Sequence, residues 1–220
     1  MSSRAGAHMG FIRGAPSRGF VGAVMVVLAV ASLLCFGAGC GVFPFEVRES
    51  EDPGGRSAVS VVPATEPTAV LSNLAVAFKN QAADPFNEQI TEDFVFVADQ
   101  IDVAELEQTY PGIFDDWTFD VEERVTQYVL DSGRCTWARL TITNDEVLEQ
   151  PTDTTYSTQM DYHIALTLNG DAQTYTGQGR LFMRKTSDNL WHIYRWEDIR
   201  PEDAEHDTWG ILRGRIRATI

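Results

Sequence analysis

Carboxylate, imidazole and phenol groups recur in this chain at spacings that would let them move protons. His192, Tyr194, Trp196 and Asp198 alternate along one stretch, which on an extended strand puts all four on one face. Asp161 and His163 stand two apart in another, Asp93 and Asp99 flank the apolar run Phe94–Val97, and Tyr128 lies in a segment of helical spacing. A carboxylate buried among apolar groups keeps its proton towards neutral pH, and a tyrosine beside it can donate to a developing oxyanion. General acid–base chemistry is therefore what these residues could perform, and the candidate pocket set is Asp93, Tyr128, His192, Tyr194 and Trp196.

Each has a structural account as well. Asp93, just ahead of a strand, suits a cap or turn acid. Asp161 and His163 oppose the apolar set Met160, Tyr162, Ile164, Leu166 and Leu168, which places them on an outer face. Trp191, Tyr194 and Trp196 are the large aromatic groups from which cores are built. No catalytic set stands clear of these accounts.

Metal and thiol chemistry have less to draw on. His8, His163, His192 and His206 are scattered, and no H-x-x-x-H or C-x-x-C spacing or carboxylate cluster accompanies them, so neither a metal nor another cofactor is expected. Past Cys35 and Cys40 the sole cysteine is Cys135, which has no partner for a disulfide and sits in the strand-like RCTWARLTI as a small buried apolar group.

The elements that must position these side chains can be read in order. Pro67 opens a helix with Thr65 or Glu66 near its cap, and Val70, Leu71, Leu74, Ala77 and Phe78 form its apolar stripe. A helical turn over Phe86–Ile90 and a short strand Phe94–Val97 follow. The chain from Asp102 to Phe119 reads as acidic and irregular, broken at Pro111-Gly112. A helix over Asp120–Leu130 shows Val121, Val125, Tyr128 and Val129 on one side, with Gly133 as its terminator. A strand from Arg134 to about Glu146 leads into three long strands over Thr154–Asp198, with turns at Asn169-Gly170-Asp171 and Ser187-Asp188-Asn189. Thr208–Arg217 reads as a short helix or an extended arm, its Arg213, Arg215 and Arg217 available as internal charge partners. Helices gathered towards the start and strands towards the end make the class α+β.

Residues 1–40 carry Arg4, Arg13 and Arg18 with no acid, followed by the apolar run FVGAVMVVLAVASLLCF, the pattern of an export signal. Beyond Cys40 the chain holds 14 basic residues against all 32 acidic ones, which argues against nucleic acid as a partner. GAGC at residues 37–40 resembles the cleavage box of bacterial lipoproteins, with glycine at 37 where that family usually has leucine or another aliphatic residue. The resemblance implies a lipid on Cys40. An uncleaved N-terminal helical anchor and a plain cleaved signal are the alternatives, and all three deliver an extracytoplasmic domain. The expected organisation is signal or anchor over 1–40, flexible tether over 41–65 and one domain over 66–220.

That domain, from PTAVLSNLAVAFKNQAADPFNEQITEDFVF to LWHIYRWEDI and TWGILRGRI, resembles the nuclear-transport-factor-2-like superfamily, also called SnoaL-like or cystatin-like. The resemblance implies a curved antiparallel sheet wrapped around the N-terminal helices as a cone, with any ligand in its mouth. It also implies the possibility of pairing between copies through the sheet. The superfamily spans isomerases, dehydratases and non-catalytic binders, so fold leaves function open. Two readings follow: a membrane-anchored, non-enzymatic binding or interaction domain of the cell envelope with a small apolar ligand or a protein partner, or a small-molecule isomerase or lyase using a pocket carboxylate.

Overall fold

A computed structural model describes residues 59–220, so the leader, Cys40 and residues 41–58 of the expected tether lie outside the described residues. Helix α1 (Pro67–Lys79) starts where expected: Glu66 is extended, and Pro67 fills a first-turn position whose N–H would have no partner. Its predicted stripe is buried. Asn73 on the same helix is buried too, and it reaches back to the incoming chain, accepting from Val62 N at 3.2 Å and donating to Val62 O at 2.8 Å. With Trp191 N donating to Ala64 O at 2.8 Å, the residues just before α1 are held against the domain. No described helix is long and apolar enough to cross a membrane.

Helix α2 (Ala83–Asn87) and strand β1 (Ile90–Val97) come next, the strand starting earlier than its apolar core suggested. The stretch read as irregular contains helix α3 (Gln100–Glu107). Asp99 caps it, accepting from Ile101 N at 2.8 Å, and its inward residues are Asp102 and Leu106, so a charged side chain occupies half of what would be its apolar stripe. Helix α4 (Phe119–Leu130) matches its expected range. Gly133 does not terminate it in a left-handed conformation; Asp131 ends the helix, and its carboxylate accepts from Gly133 N at 2.8 Å.

Strands β2 (Cys135–Val147), β3 (Thr155–Leu168), β4 (Asp171–Lys185) and β5 (Trp191–Ile199) form an antiparallel run. The sheet order is β1-β5-β4-β3-β2, and β1 joins β5 in parallel, so the five-stranded sheet is mixed rather than wholly antiparallel. Everything between Val97 and Trp191 serves as the long connection that parallel neighbours require. At the β3–β4 turn Asn169 and Gly170 both take positive φ, +54° and +91°, the hairpin geometry their types promise. Helix α5 (Trp209–Arg217) closes the chain and settles the C-terminal segment as a helix, with Thr208 Oγ1 accepting from Ile211 N at 3.1 Å as its cap. The architecture is α+β, a curved, unclosed sheet whose inner face packs against helices.

Gly177 and Gly179 let the sheet curve past its own contents. A Cβ on Gly177 would stand 2.3 Å from the Tyr162 hydroxyl and 3.1 Å from Ile199 O. Gly177→Ala therefore drives Tyr162 out of place, and chemical denaturation should show a loss of about 2–4 kcal/mol. Gly170→Ala meets nothing within 4 Å and should cost only about 1 kcal/mol, from its positive φ. Equal losses would mean that the close approach at Gly177 does not matter.

Candidate functional site

Chemistry-bearing side chains converge inside the cone, where α3, α5, the middle of β3 and the end of β5 meet. Strand β5 supplies Trp196 and Asp198, β3 supplies Tyr162, α3 supplies Asp102 and the start of α5 supplies Thr208. The first N–H groups of a helix have no partner within it, and here no water-facing route is open to them. Asp198 Oδ2 accepts from Gly210 N at 2.6 Å, and the Tyr162 hydroxyl accepts from Trp209 N at 2.9 Å. Thr208 Oγ1 donates to Asp102 Oδ2, whose other oxygen stands 2.7 Å from Arg200 Nε as an ion pair. A Cβ on Gly210 would lie 2.9 Å from both carboxylates, so only glycine lets the helix sit between them.

Burial governs how these acids titrate. Desolvation pushes Asp198 up to about 7, against the favourable pull of Arg213, the Tyr162 hydroxyl and Gly210 N. The same cause raises Asp102 to about 6, offset in part by Thr208 and Arg200. Tyr162, buried and facing Asp198, is held well above its ordinary value of 10.0.

A second cluster adjoins the first. Arg213 and Glu122 are fully buried, with Arg213 Nε and Nη2 donating to Glu122 Oε1 at 3.1 and 2.7 Å. Trp117 Nε1 donates to Glu122 Oε2 at 2.9 Å. The guanidinium lies 4.2, 4.6 and 4.8 Å from the ring centroids of Phe96, Trp196 and Trp209, a cage in which cation–π attraction replaces hydration. Helix α5 thus fills the interior: Trp209, Leu212 and Arg213 are buried there, and Trp209 packs edge-on against Phe78 at 5.6 Å. A surface cleft of about 610 Å³ lies at the α1–α2 turn, lined by Gln81–Pro85, Gln127 and Leu130 and not by Asp102, Tyr162 or Asp198.

The expected pocket residues do not converge. Asp93 is exposed on β1 and paired with Arg184, its carboxyl held low by Thr91 and Arg184. Tyr128 is half-buried under the Arg134 guanidinium, 4.1 Å from its ring centroid. His192 Nδ1 meets Thr186 Oγ1 at 3.0 Å, and Tyr194 lies 6.4 Å from Phe182, both on the sheet's outer face. Trp196 alone of the five points inward to full burial. The reason is a β-bulge: Met183 stands opposite Ile193 but Phe182 opposite Arg195, leaving Tyr194 as the extra residue. Alternation resumes out of phase after it, so His192 and Tyr194 face outward while Trp196 and Asp198 face inward. Asp161 and His163 do lie on the outer face, where Asp161 accepts from Gln178 Nε2 at 2.9 Å.

Asp102 stands in the stretch that reads as irregular and carries no local signal, and Tyr162 reads as a core residue of its strand. Thr208 two residues before Gly210 was the one local signal, a cap followed by a residue that admits close neighbours. Among the described residues no group of three or more potential metal ligands occurs.

No protein-family model and no curated protein sequence matches this chain. Solved structures similar to it include a nuclear-transport-factor-2-like protein of unknown function in nutrient uptake from Rhodospirillum rubrum, 13% identical over 62% of this chain and 98% of that one, TM-score 0.47. Another is a nuclear transport factor 2-like superfamily protein from Salmonella enterica serovar Typhimurium, 10% identical over 66% and 96%, TM-score 0.48. A third, from Novosphingobium aromaticivorans, is provisionally described as a scytalone dehydratase and is 8% identical over 66% and 91%, TM-score 0.48. Similarities of this size carry no assignment of function.

Two measurements follow from the interior. Asp102 and Asp198 bind protons more tightly folded than unfolded, where a carboxyl titrates near 3.8, so their contribution to stability is fully present below about pH 4 and is lost as pH rises through 6 and 7. Unfolding free energy should therefore fall over that range in wild type and fall less in Asp198→Asn; equal slopes would show that Asp198 titrates normally. Arg213→Met leaves Glu122 buried without its cation and should cost roughly 3–5 kcal/mol, part of it recovered on adding Glu122→Gln. A strictly additive double variant would mean that the pair is not coupled.

Proposed function

We propose that this chain is a nuclear-transport-factor-2-like domain tethered outside the cytoplasm through lipid on Cys40, and that it works as a binding or interaction domain through its surface. The single observation behind the second half is the occupied interior. The hydrogen bonds of Asp198, Tyr162 and Thr208 there go to the first turn of α5, and the space beside them holds Trp209, Leu212 and Arg213. A substrate would have to displace the helix that these groups hold. Support for the tether is the arginine-led apolar run ending in GAGC, and support for the fold family is the order of two helices, a strand, two helices and four consecutive strands.

A second reading, an isomerase or lyase, is favoured by one feature: a carboxyl raised to about 7 beside a buried tyrosine, Asp198 and Tyr162, is the pairing that proton abstraction next to a carbonyl uses. Thermal shift against a panel of small apolar ketones and phenols separates the two readings. The interaction reading expects no saturable stabilisation by any of them; a shift that saturates and disappears in Asp198→Asn would establish an interior ligand site and overturn it. Intact mass of the membrane-extracted protein tests the tether. Residues 40–220 plus diacylglycerol and an acyl chain are expected, with the modification lost in Cys40→Ala; the unmodified full chain would mean a spanning anchor instead.

A further inference from the structure

The free edge of the sheet at β1 brings together unpaired backbone, one half-buried aromatic ring and charge. Strand β1 is terminal in the sheet and pairs with β5 on one side only. On its other side a groove of about 520 Å³ runs between Glu92–Phe96 and the segment Phe114–Thr118. Alternate N–H and C=O groups of an edge strand point away from the sheet with no ladder partner. Half-buried Phe114 is the aromatic group that reaches the groove; it stacks at 5.8 Å on the buried Trp117, which with buried Phe96 anchors it to the core.

Both walls carry carboxylates, Glu92 and Asp93 on the strand side, Asp115 and Asp116 on the other. Asp93 is taken by Arg184, whereas Glu92, Asp115 and Asp116 have no cationic partner among the described residues. The outer wall is held in place from behind. Arg217 Nη1 donates to Ile113 O at 2.9 Å and Asp115 O at 2.7 Å, with its guanidinium 5.3 Å from the Trp117 ring centroid. Gly214 lets Phe114 approach to where a Cβ would be 2.9 Å from its ring. A groove whose walls are already placed loses little conformational freedom on binding.

We propose that this groove receives an extended basic segment of a partner protein, which adds to β1 as a further strand. Strand addition satisfies the open N–H and C=O groups, and carboxylates on both walls select lysine or arginine over acidic side chains. Alternation lets an apolar side chain of the segment rest on the half-buried Phe114 while its neighbours in sequence reach the carboxylates. Carboxylates along an edge keep copies of a protein from pairing edge to edge, and Glu92, Asp115 and Asp116 oppose a second copy of this acidic chain as the occupant. The proposal rests on the interaction reading above and names its surface and partner.

Fluorescence anisotropy with a labelled hexapeptide of alternating lysine and valine tests it, beside a glutamate–valine counterpart and a version N-methylated at alternate backbone nitrogens. At about 50 mM salt the lysine peptide should bind saturably, with Kd on the order of 10 µM. Asp115→Asn with Asp116→Asn should weaken it about tenfold, a loss in keeping with two charge contacts. N-methylation should abolish binding, and His163→Ala, remote on the outer face, should leave it unchanged. Circular dichroism melts confirm that the exposed double variant folds. Absence of saturable binding, binding that tolerates N-methylation, or equal binding of the glutamate peptide would each overturn the proposal. So would concentration-dependent dimers, in sedimentation equilibrium, that Asp115→Asn with Asp116→Asn alters, since the edge would then serve self-association. All of these outcomes are independent of the interior ligand assay, so the surface can fail while the interaction reading stands.

Discussion

A helix whose first turn is buried must find acceptors for N–H groups that water cannot reach, and the interior of this protein is arranged around that constraint. Helix α5 enters the cone N-terminus first, and three acceptors from three different elements meet it: Thr208 at the cap, Tyr162 from β3 and Asp198 from β5. Asp102 stands behind Thr208, and Arg200 balances Asp102. Gly210 and Gly177 clear the space, one between two carboxylates and the other beside a phenol. None of these residues explains itself in isolation; each is intelligible as part of the seat for one helix.

Charge buried this way stabilises weakly and specifies strongly. Removing three carboxylates and a guanidinium from water costs several kcal/mol per ion, a cost that their mutual attraction can fail to repay. An apolar helix could fill the same volume. What the charged arrangement adds is a single acceptable position for α5, because any shift strands an ion. The raised protonation of Asp198 and Asp102 relieves part of the desolvation cost while leaving their acceptor oxygens in use.

The same helix couples the interior to the surface. Arg213 faces inward against Phe96, and one turn later Arg217 reaches the backbone of Ile113 and Asp115. Phe96 and Asp115 both border the groove along β1. A helix seated by buried carboxylates thus sets the distance between an edge strand and the loop facing it. Rigidity bought in the core is spent at a surface groove, where a preformed shape favours association.

Much of the fold could be read from the chain. Period-two alternation in β3, the Asn169-Gly170 turn, the stripe of α1 and the range of α4 are local signals, written in neighbouring residues, and each holds in the structure. Helix α3 could not be read, because one of its two buried residues is the charged Asp102, whose burial depends on partners about a hundred residues away. The residues that alternation groups on β5 do not share one face, for a related reason. A bulge at Tyr194 reverses the phase of β5, and it is defined by pairing with β4, which no window on β5 alone contains. Sequence by itself determined the type of most elements, the α+β class and the acidity of the chain beyond Cys40. Tertiary structure decided which residues meet and which acids keep their protons, since burial and long-range pairing set both, and neither is a property of neighbours along the chain.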